Sequence, residues 1–309
     1  MKAILISKFG PLLRPNPNHP ANPHPQTGEV LIKIASLGLN HAELHMRKGE
    51  WAEWTPISGI ECVGNVSACP SGEFAPGTPV ASLMGGLGRT IPCSYSEYTV
   101  AKASNVVPLG PGAEKLSWAQ LAAIPESYAT AWTCLFRNLE VRAGQTCEGK
   151  GVRVTATTRR GDRIPGLKEL GVEDVLIEHP LLSEKITTTK FDAVLDLIGN
   201  CTIVDSLKLV HRGGRVCLAG WLGGLYPVPV FNPLLQMASG VHFRFFGSFV
   251  FGTEEFPLSD VPLQEIVSMV AEEKFVAEPS RVWKFEEIQE AHRIMEANEA
   301  EGKMVVVVE

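Results

Sequence analysis

The sequence predicts an α/β protein made of a small, mostly antiparallel β domain and a doubly wound parallel-sheet domain, and three observations predict it. Between Glu29 and Leu109, short β-type runs are separated by Gly and Pro punctuation. Beyond Leu116, short apolar strands alternate with helices, the pattern of βαβ units covered on both faces. The chain then closes with a helix and a strand, "KMVVVVE", which can rejoin the first domain. At 309 residues there is room for two ordinary domains and for a core that needs no disulfide or metal staple.

The opening "MKAILISKFG" has an apolar patch that runs into turn residues, too short for a signal h-region or a membrane span, and reads as a first strand. Residues 11–28, "PLLRPNPNHPANPHPQTG", carry too many prolines for helix or interior strand and read as a surface loop. Strands follow in "EVLIKIASLGLN", "GIECVGNVSAC", "GTPVASLM", "SYSEYTVA" and "NVVPL", with a short helical turn in "HAELHMRKG" (41–49). Ser117 is suited to cap the next helical stretch, in which Pro125 is an interruption. The second domain alternates "GVRVTATT", "RIPGLKELG", "EDVLIEH", "FDAVLDLIG", "CTIVDSLKLVHRGG" and "RVCLAGWLG", and the closing helix is "FEEIQEAHRIMEANEAEG". The expected division sets residues 1–115 with 275–309 against 116–274.

Charge excludes whole classes of partner. With 28 basic against 34 acidic residues, a net charge of −6 and no Lys/Arg-rich block, no nucleic acid and no membrane is expected as a partner. Seven cysteines, an odd number without a CxxC pair, predict reduced thiols and a cytoplasmic location rather than a disulfide framework.

The stretches "GEVLIKIASLGLNHAELHMRKG", "GIECVGNV", "SYSEYTVAKASNVVPLG", "LAAIPESYATAWTCL", "LKELGVEDVLIE", "FDAVLDLIG", "GGRVCLAG" and "EAHRIMEANEAEGKMVVVV" are collinear with one family pattern over nearly the whole chain. On them the chain resembles the medium-chain dehydrogenase/reductase superfamily, in its zinc-independent quinone oxidoreductase and enoyl reductase branch. The resemblance implies a GroES-like β-barrel domain made from both chain ends, a Rossmann-like doubly wound sheet domain between them, and a cleft between the two. It also implies hydride transfer from NADPH to a polarised double bond or quinone, with the protein supplying position and polarisation. A small-molecule substrate follows, and there is room for a homodimer.

Zinc-dependent relatives set a Cys, a His and a second Cys or acidic residue around the metal and leave one position open. Here "GLNHAE" puts Asn40 at the first of these positions, and "GIECVGN" brings Glu61 and Cys62 without the His before the Glu. No metal is expected. His41 and His45 are spaced to share a helix face with Glu43 between them, but lack a third ligand and read as a hydrogen-bonded turn. The resemblance places Asn40, the one expected catalytic residue, beside the nicotinamide as a neutral hydrogen-bonding group; capping the following helix is the equal alternative.

The main departure from the family lies in "AGQTCEGKGVRVTATTRR", residues 143–160. Relatives continue from "RAGQT" into a buried strand, a glycine turn of the type AxxGxxG, and a helix whose N-terminus faces the pyrophosphate. Here "CEGK" stands in for about twenty residues of that unit, so the Rossmann-like domain is expected to lack its first strand, Gly turn and helix. In a sheet of order 3-2-1-4-5-6 the lost strand is central, and two unpaired rows of buried backbone groups would cost about 1–3 kcal/mol per group. Either "VRVTATT" slides inward to become the central strand, or the domain packs differently, or the sequence is a splice or gene-model product that does not fold stably.

Thr158, Arg159 and Arg160, with Arg163 beside them, suit the 2′-phosphate of NADP(H), or else form a solvated basic turn. The resemblance carries Thr130, Gly220, Gly247, Ser248, Asn298 and Lys303 onto positions that contact nicotinamide, ribose or phosphates. Plainer readings stand beside these: Thr130 inside a helix, Gly220 in a strand-end turn, Lys303 as a surface charge. Trp51 and Tyr128 are packing residues that could also line the cleft. The expected function is a zinc-independent, NADP(H)-dependent oxidoreductase acting on an enone, enoyl thioester or quinone. The absent glycine turn stands against NADP(H) and keeps open the alternative, a cofactor-free pseudoenzyme or small-molecule binding protein, or a truncated splice or gene-model product.

Overall fold

The computed structural model describes residues 1–10, 14–15, 21–142 and 152–308. The first half runs β1 (Ile4–Leu5), β2 (Arg14–Pro15), β3 (Glu29–Gly38), α1 (His41–Lys48), β4 (Glu61–Ala68), β5 (Pro79–Leu83), β6 (Tyr98–Lys102), β7 (Val106–Pro108), α2 (Trp118–Ala122) and α3 (Pro125–Trp132). Then come β8 (Thr155–Thr158), α4 (Ile164–Glu169), β9 (Asp174–Ile177), α5 (Leu182–Lys185), β10 (Phe191–Asp196), α6 (Ile203–Leu209), β11 (Val210–Leu218), α7 (Pro233–Gln236) and β12 (His242–Phe245). The chain ends with α8 (Leu263–Ala271), β13 (Arg281–Lys284), α9 (Ile288–Glu296) and β14 (Met304–Val307). Among the described residues no helix is long and apolar enough to cross a membrane.

Two compact units result, residues 1–130 with 248–309 and residues 131–247. The boundaries differ from 115 and 275 because α2, α3 and α8 belong with the β domain. α2 packs its buried Leu121 and Ala122 side against β3, β4 and β14, and α8 packs near β7 with Leu263, Ile266, Val267 and Val270 buried at helical spacing. Ser117 caps α2 as expected: its hydroxyl accepts the Gln120 N–H at 3.2 Å, and Gln120 Oε1 accepts the Ser117 N–H at 3.0 Å. Pro125 starts α3 rather than interrupting a helix, at the end where a missing N–H costs nothing.

The first unit is built on a sheet of order β13-β14-β3-β4-β5-β7, with β6 also paired to β3. Pairing is antiparallel except between β13 and β14. β3 alternates in its first half, burying Val30, Ile32 and Ile34, and is buried throughout its second. β14 returns from the far end of the chain to lie against the end of β3, with Val305 opposite Gly38.

The second unit holds a parallel pair, β8-β9, and a parallel three-stranded sheet, β10-β11-β12. α6 covers the latter, burying Ile203 and Leu207 with Val210 and Val216. In a doubly wound sheet of order 3-2-1-4-5-6 a central strand would fall between β8 and β10. Among the described residues nothing pairs with the second edge of either, so the inward slide of "VRVTATT" is not what the sheet adopts. The run before β8 stays half open, with Val152 48% and Val154 45% exposed, whereas a central parallel strand is buried on both faces. "CEGK", residues 147–150, where the strand, turn and helix are expected to be missing, lies outside the described residues.

Candidate functional site

Five segments of the first unit meet at one place. β3 ends at Gly38, α1 begins after Asn40, β4 begins at Glu61, α3 begins at Pro125, and Lys303 precedes β14. Gly38 lets them meet: a Cβ there would overlap the Glu61 carboxylate and stand 2.6 Å from Lys303 Cε.

Glu61 is sealed from solvent and both its oxygens are used. Oε1 accepts from Lys303 Nζ at 2.6 Å and from Asn40 Nδ2 at 2.9 Å. Oε2 accepts the Glu126 backbone N–H at 2.8 Å, one of the donors that the start of a helix leaves without a partner. Asn40 is the joint between the charges. Its Oδ1 accepts from Lys303 Nζ at 2.6 Å, its Nδ2 also lies 3.4 Å from Glu43 Oε1, and its backbone N–H donates to Glu43 Oε2 at 2.7 Å. The Ile60 N–H donates to Glu43 Oε1 at 3.2 Å. Asn40 holds the N-cap position of α1 with extended backbone, in a capping box with Glu43, and its amide also meets the ammonium and Glu61. On the far side, Thr130 Oγ1 donates to Glu126 Oε1 at 2.9 Å, one helical turn along α3, and Ser248 also hydrogen-bonds the Glu126 side chain.

Three carboxyls around one ammonium cannot all carry charge cheaply in so dry a place. Burial pushes Glu43 up to about 8, with Glu61 adding to the rise and Lys303 pulling against it. Glu126 is raised as well, by burial first, while Lys303 holds it down. For Lys303, burial works against the ammonium, and Glu61, Glu126 and Glu43 overcome it, so its value is raised and the charge is kept. Two of its three N–H groups serve Asn40 and Glu61. The third has no hydrogen-bond partner among the described residues, and the side chain is 14% exposed.

The donor set does not suit a metal. Burial, with Glu61 beside it, pushes the Cys62 thiol up to about 12. Asn40 contributes a neutral amide, and an ammonium already faces the two oxygens that a cation would use. His45 Nδ1 is 2.5 Å from Glu50 Oε2, an ordinary turn contact. Among the described residues no group of three or more His, Cys, Asp or Glu side chains is placed to hold a metal ion.

Of the residues singled out from sequence, Asn40, Thr130, Ser248 and Lys303 gather here. Lys303 is no surface charge. Asn298 stands apart: it is exposed, with a left-handed φ of 59°, and ends α9 by donating its N–H to Met295 O at 3.0 Å. Tyr128 donates its hydroxyl to Val276 O at 2.7 Å and stacks on Phe275, while Trp51 lies under the Arg89 guanidinium at 5.9 Å. Sequence reasoning missed Gly38 and Glu126, and saw Glu61 and Glu43 only as possible metal neighbours. The available signals were a glycine closing an apolar strand in "SLGLN" and a lone acid at the helix start in "IPESY".

Thr158, Arg159, Arg160, Gly220 and Gly247 lie in the second unit. The first three form an exposed turn at the C-terminal end of β8: Thr158 Oγ1 accepts the Arg160 N–H at 3.2 Å, Arg160 Nε donates to Asp162 at 3.1 Å, and Arg159 Nε lies 3.7 Å from Glu178. The Arg159 side chain is 70% exposed. Gly220 ends β11 where a Cβ would overlap Leu197 O, so packing alone demands glycine there. Gly247 is buried just beyond β12. After β10, Asp196 takes up the local donors itself: Oδ1 accepts from the Ile198 and Gly199 N–H groups at 2.9 and 3.0 Å and from Thr202 at 2.9 Å, and Oδ2 accepts from Ser206 at 2.7 Å. The donors between β10 and α6 are thereby taken up within the chain.

The alcohol dehydrogenase GroES-like domain family matches residues 26–129, and a family described as zinc-binding dehydrogenase matches residues 170–306. The pig (Sus scrofa) quinone oxidoreductase is 27% identical, covering 100% of this chain and 98% of the pig protein. That alignment runs over 344 residues against a chain of 309, so the relative has positions without a counterpart here. Among solved structures, a mycobacterial protein in complex with NADPH superposes with a TM-score of 0.81 at 23% identity over 100% of both chains. The CurK enoyl reductase superposes with a TM-score of 0.78 at 21% identity over 99% of this chain and 98% of its own. The chain belongs to the medium-chain dehydrogenase/reductase superfamily, in its zinc-independent quinone oxidoreductase branch.

Proposed function

We propose that the protein is an NADP(H)-dependent oxidoreductase that needs no zinc and passes hydride to a quinone, an enone or an enoyl thioester. The observation that carries this reading is the convergence of Asn40, Lys303, Thr130 and Ser248 on one buried acid network. The Lys303 ammonium, with one N–H unused among the described residues, is a hydrogen-bond donor suited to a carbonyl oxygen, and the Asn40 amide holds it in place. The pig quinone oxidoreductase and the CurK enoyl reductase support the substrate class, and the exposed Arg159 supports NADP(H) over NAD(H). When bound, the cofactor supplies the hydride. The chain's own residues hold the substrate oxygen and keep the site dry.

The test is NADPH consumption, followed by absorbance, with a para-quinone, a cyclic enone and an enoyl thioester in turn. Turnover of at least one, unchanged by a chelator, is the expected result; no turnover of any defeats the reading. A second reading, a small-molecule binding protein without cofactor, rests on the sheet: β8 and β10 each keep one unpaired edge among the described residues where the pyrophosphate-binding strand is expected. Such a protein would bind quinones or enones and be indifferent to NADPH.

A further inference from the structure

The acid network around Glu61 ends on a donor that it does not itself use. Lys303 spends two N–H groups on Asn40 and Glu61, and its third has no partner among the described residues. The side chain is held at the rim, 14% exposed, over a carboxylate with no exposure at all. Gly38 leaves room for this arrangement on one side, since any Cβ would collide with both members of the pair. A cation is thus built into the place where a metal would need to sit, with one N–H left unused among the described residues.

We propose that the Lys303 ammonium is the group that binds the substrate's carbonyl or quinone oxygen and then protonates it, the electrostatic task of a metal in metal-dependent carbonyl chemistry. The proposal rests on the reductase reading above. Addition of a hydride to a quinone, or to the β-carbon of an enone, leaves a phenolate-like or enolate oxygen. One Lys303 N–H bond breaks, one O–H bond forms on that oxygen, and the lysine is left as a neutral amine until solvent returns the proton.

Neighbouring groups fit this role less well. Asn40 can donate a hydrogen bond but cannot give up a proton, and the Tyr128 hydroxyl is committed to Val276 O. Tyr95 lies fully buried against His292 at 2.6 Å. A phenol such as the hydroquinone product ionises at about 10, in the range of an ordinary ammonium, and an ammonium raised above that range gives its proton only to a strongly basic oxyanion. The groups that act on Lys303 come from three elements: Glu61 on β4, Glu126 on α3, and Glu43 and His41 on α1. Their carboxyls raise the ammonium and so match it to a basic oxyanion rather than to an acidic one.

The test uses 4-nitrophenol, whose absorbance distinguishes phenol from phenolate, with no cofactor present. Wild type should bind it as phenolate, and Lys303→Met should weaken binding at least about tenfold, the scale of one charge-assisted hydrogen bond. Lys303→Arg keeps the charge and should keep the probe, yet lose about 100-fold in quinone turnover, because a guanidinium does not release its proton. If K303M does not fold, K303R carries the test alone. Probe binding by K303M equal to wild type, or full turnover by K303R, overturns the proposal. Wild type that binds the probe through Lys303 but never consumes NADPH would sink the reductase reading and leave Lys303 as an oxyanion-binding group.

Discussion

Lys303 Nζ lies 2.6 Å from Glu61 Oε1, and 242 positions of chain separate the two residues. The bond joins the segment before β14 to the start of β4 inside one unit. Such a pair gains little net stability, because desolvation offsets the Coulomb attraction, but breaking it on one side leaves a charge stranded. Glu61→Gln should therefore cost about 3–5 kcal/mol. The double variant E61Q/K303M should recover much of that loss. Urea denaturation in a double-mutant cycle reads both numbers, and additive losses would show that the pair is not coupled.

Gly38→Ala tests the cradle. The added methyl must displace Glu61 or Lys303, an overpacking strain of about 1–3 kcal/mol. Stability by denaturation and turnover should fall together.

His292 should give the protein an acid-side weakness. Burial, then Arg47, lowers it from 6.5 to about 3, so the folded state resists its protonation. Its contribution is complete above pH 6.5. As pH falls toward 3 the unfolded chain takes up a proton that the folded one refuses, and stability drops by about 1.4 kcal/mol per pH unit. His292→Gln should flatten that slope in melts taken across the window; an unchanged slope would place the weakness elsewhere.

Glu43 works in the opposite sense. With a folded value of about 8 against an ordinary 4.5, it favours the folded state at low pH, and this contribution fades as pH rises from 4.5 through 8. Glu43→Gln should therefore gain on wild type across that range by about 1.4 kcal/mol per pH unit. A difference independent of pH would mean that Glu43 is ionised throughout.

The sequence was most legible where local rules decide. Ser117 with Gln120, the closing "KMVVVVE" strand and the alternation in β3 are short-range patterns, and each appears as expected. Pro125 was read as a break when it is a beginning, because a proline says where regularity changes and not in which direction. The domain boundary lay beyond local reading, since tertiary packing assigns α2, α3 and α8 to the β domain. The site was half legible. Asn40, Lys303, Thr130 and Ser248 were found as isolated positions, but their meeting through Glu61 and Glu126 depends on contacts across most of the chain, and the part of Gly38 is visible only once Glu61 and Lys303 are in place.

NADPH binding tests the central claim most directly, because the proposed 2′-phosphate contacts are Arg159 and Arg160 while β8 and β10 belong to separate sheets among the described residues. Thermal unfolding of the purified chain should be monitored against rising NADPH and, separately, NADH. The account predicts stabilisation that approaches about 2.7 kcal/mol at a hundredfold excess over the dissociation constant, with NADPH effective at lower concentration than NADH. No shift at millimolar NADPH would contradict it.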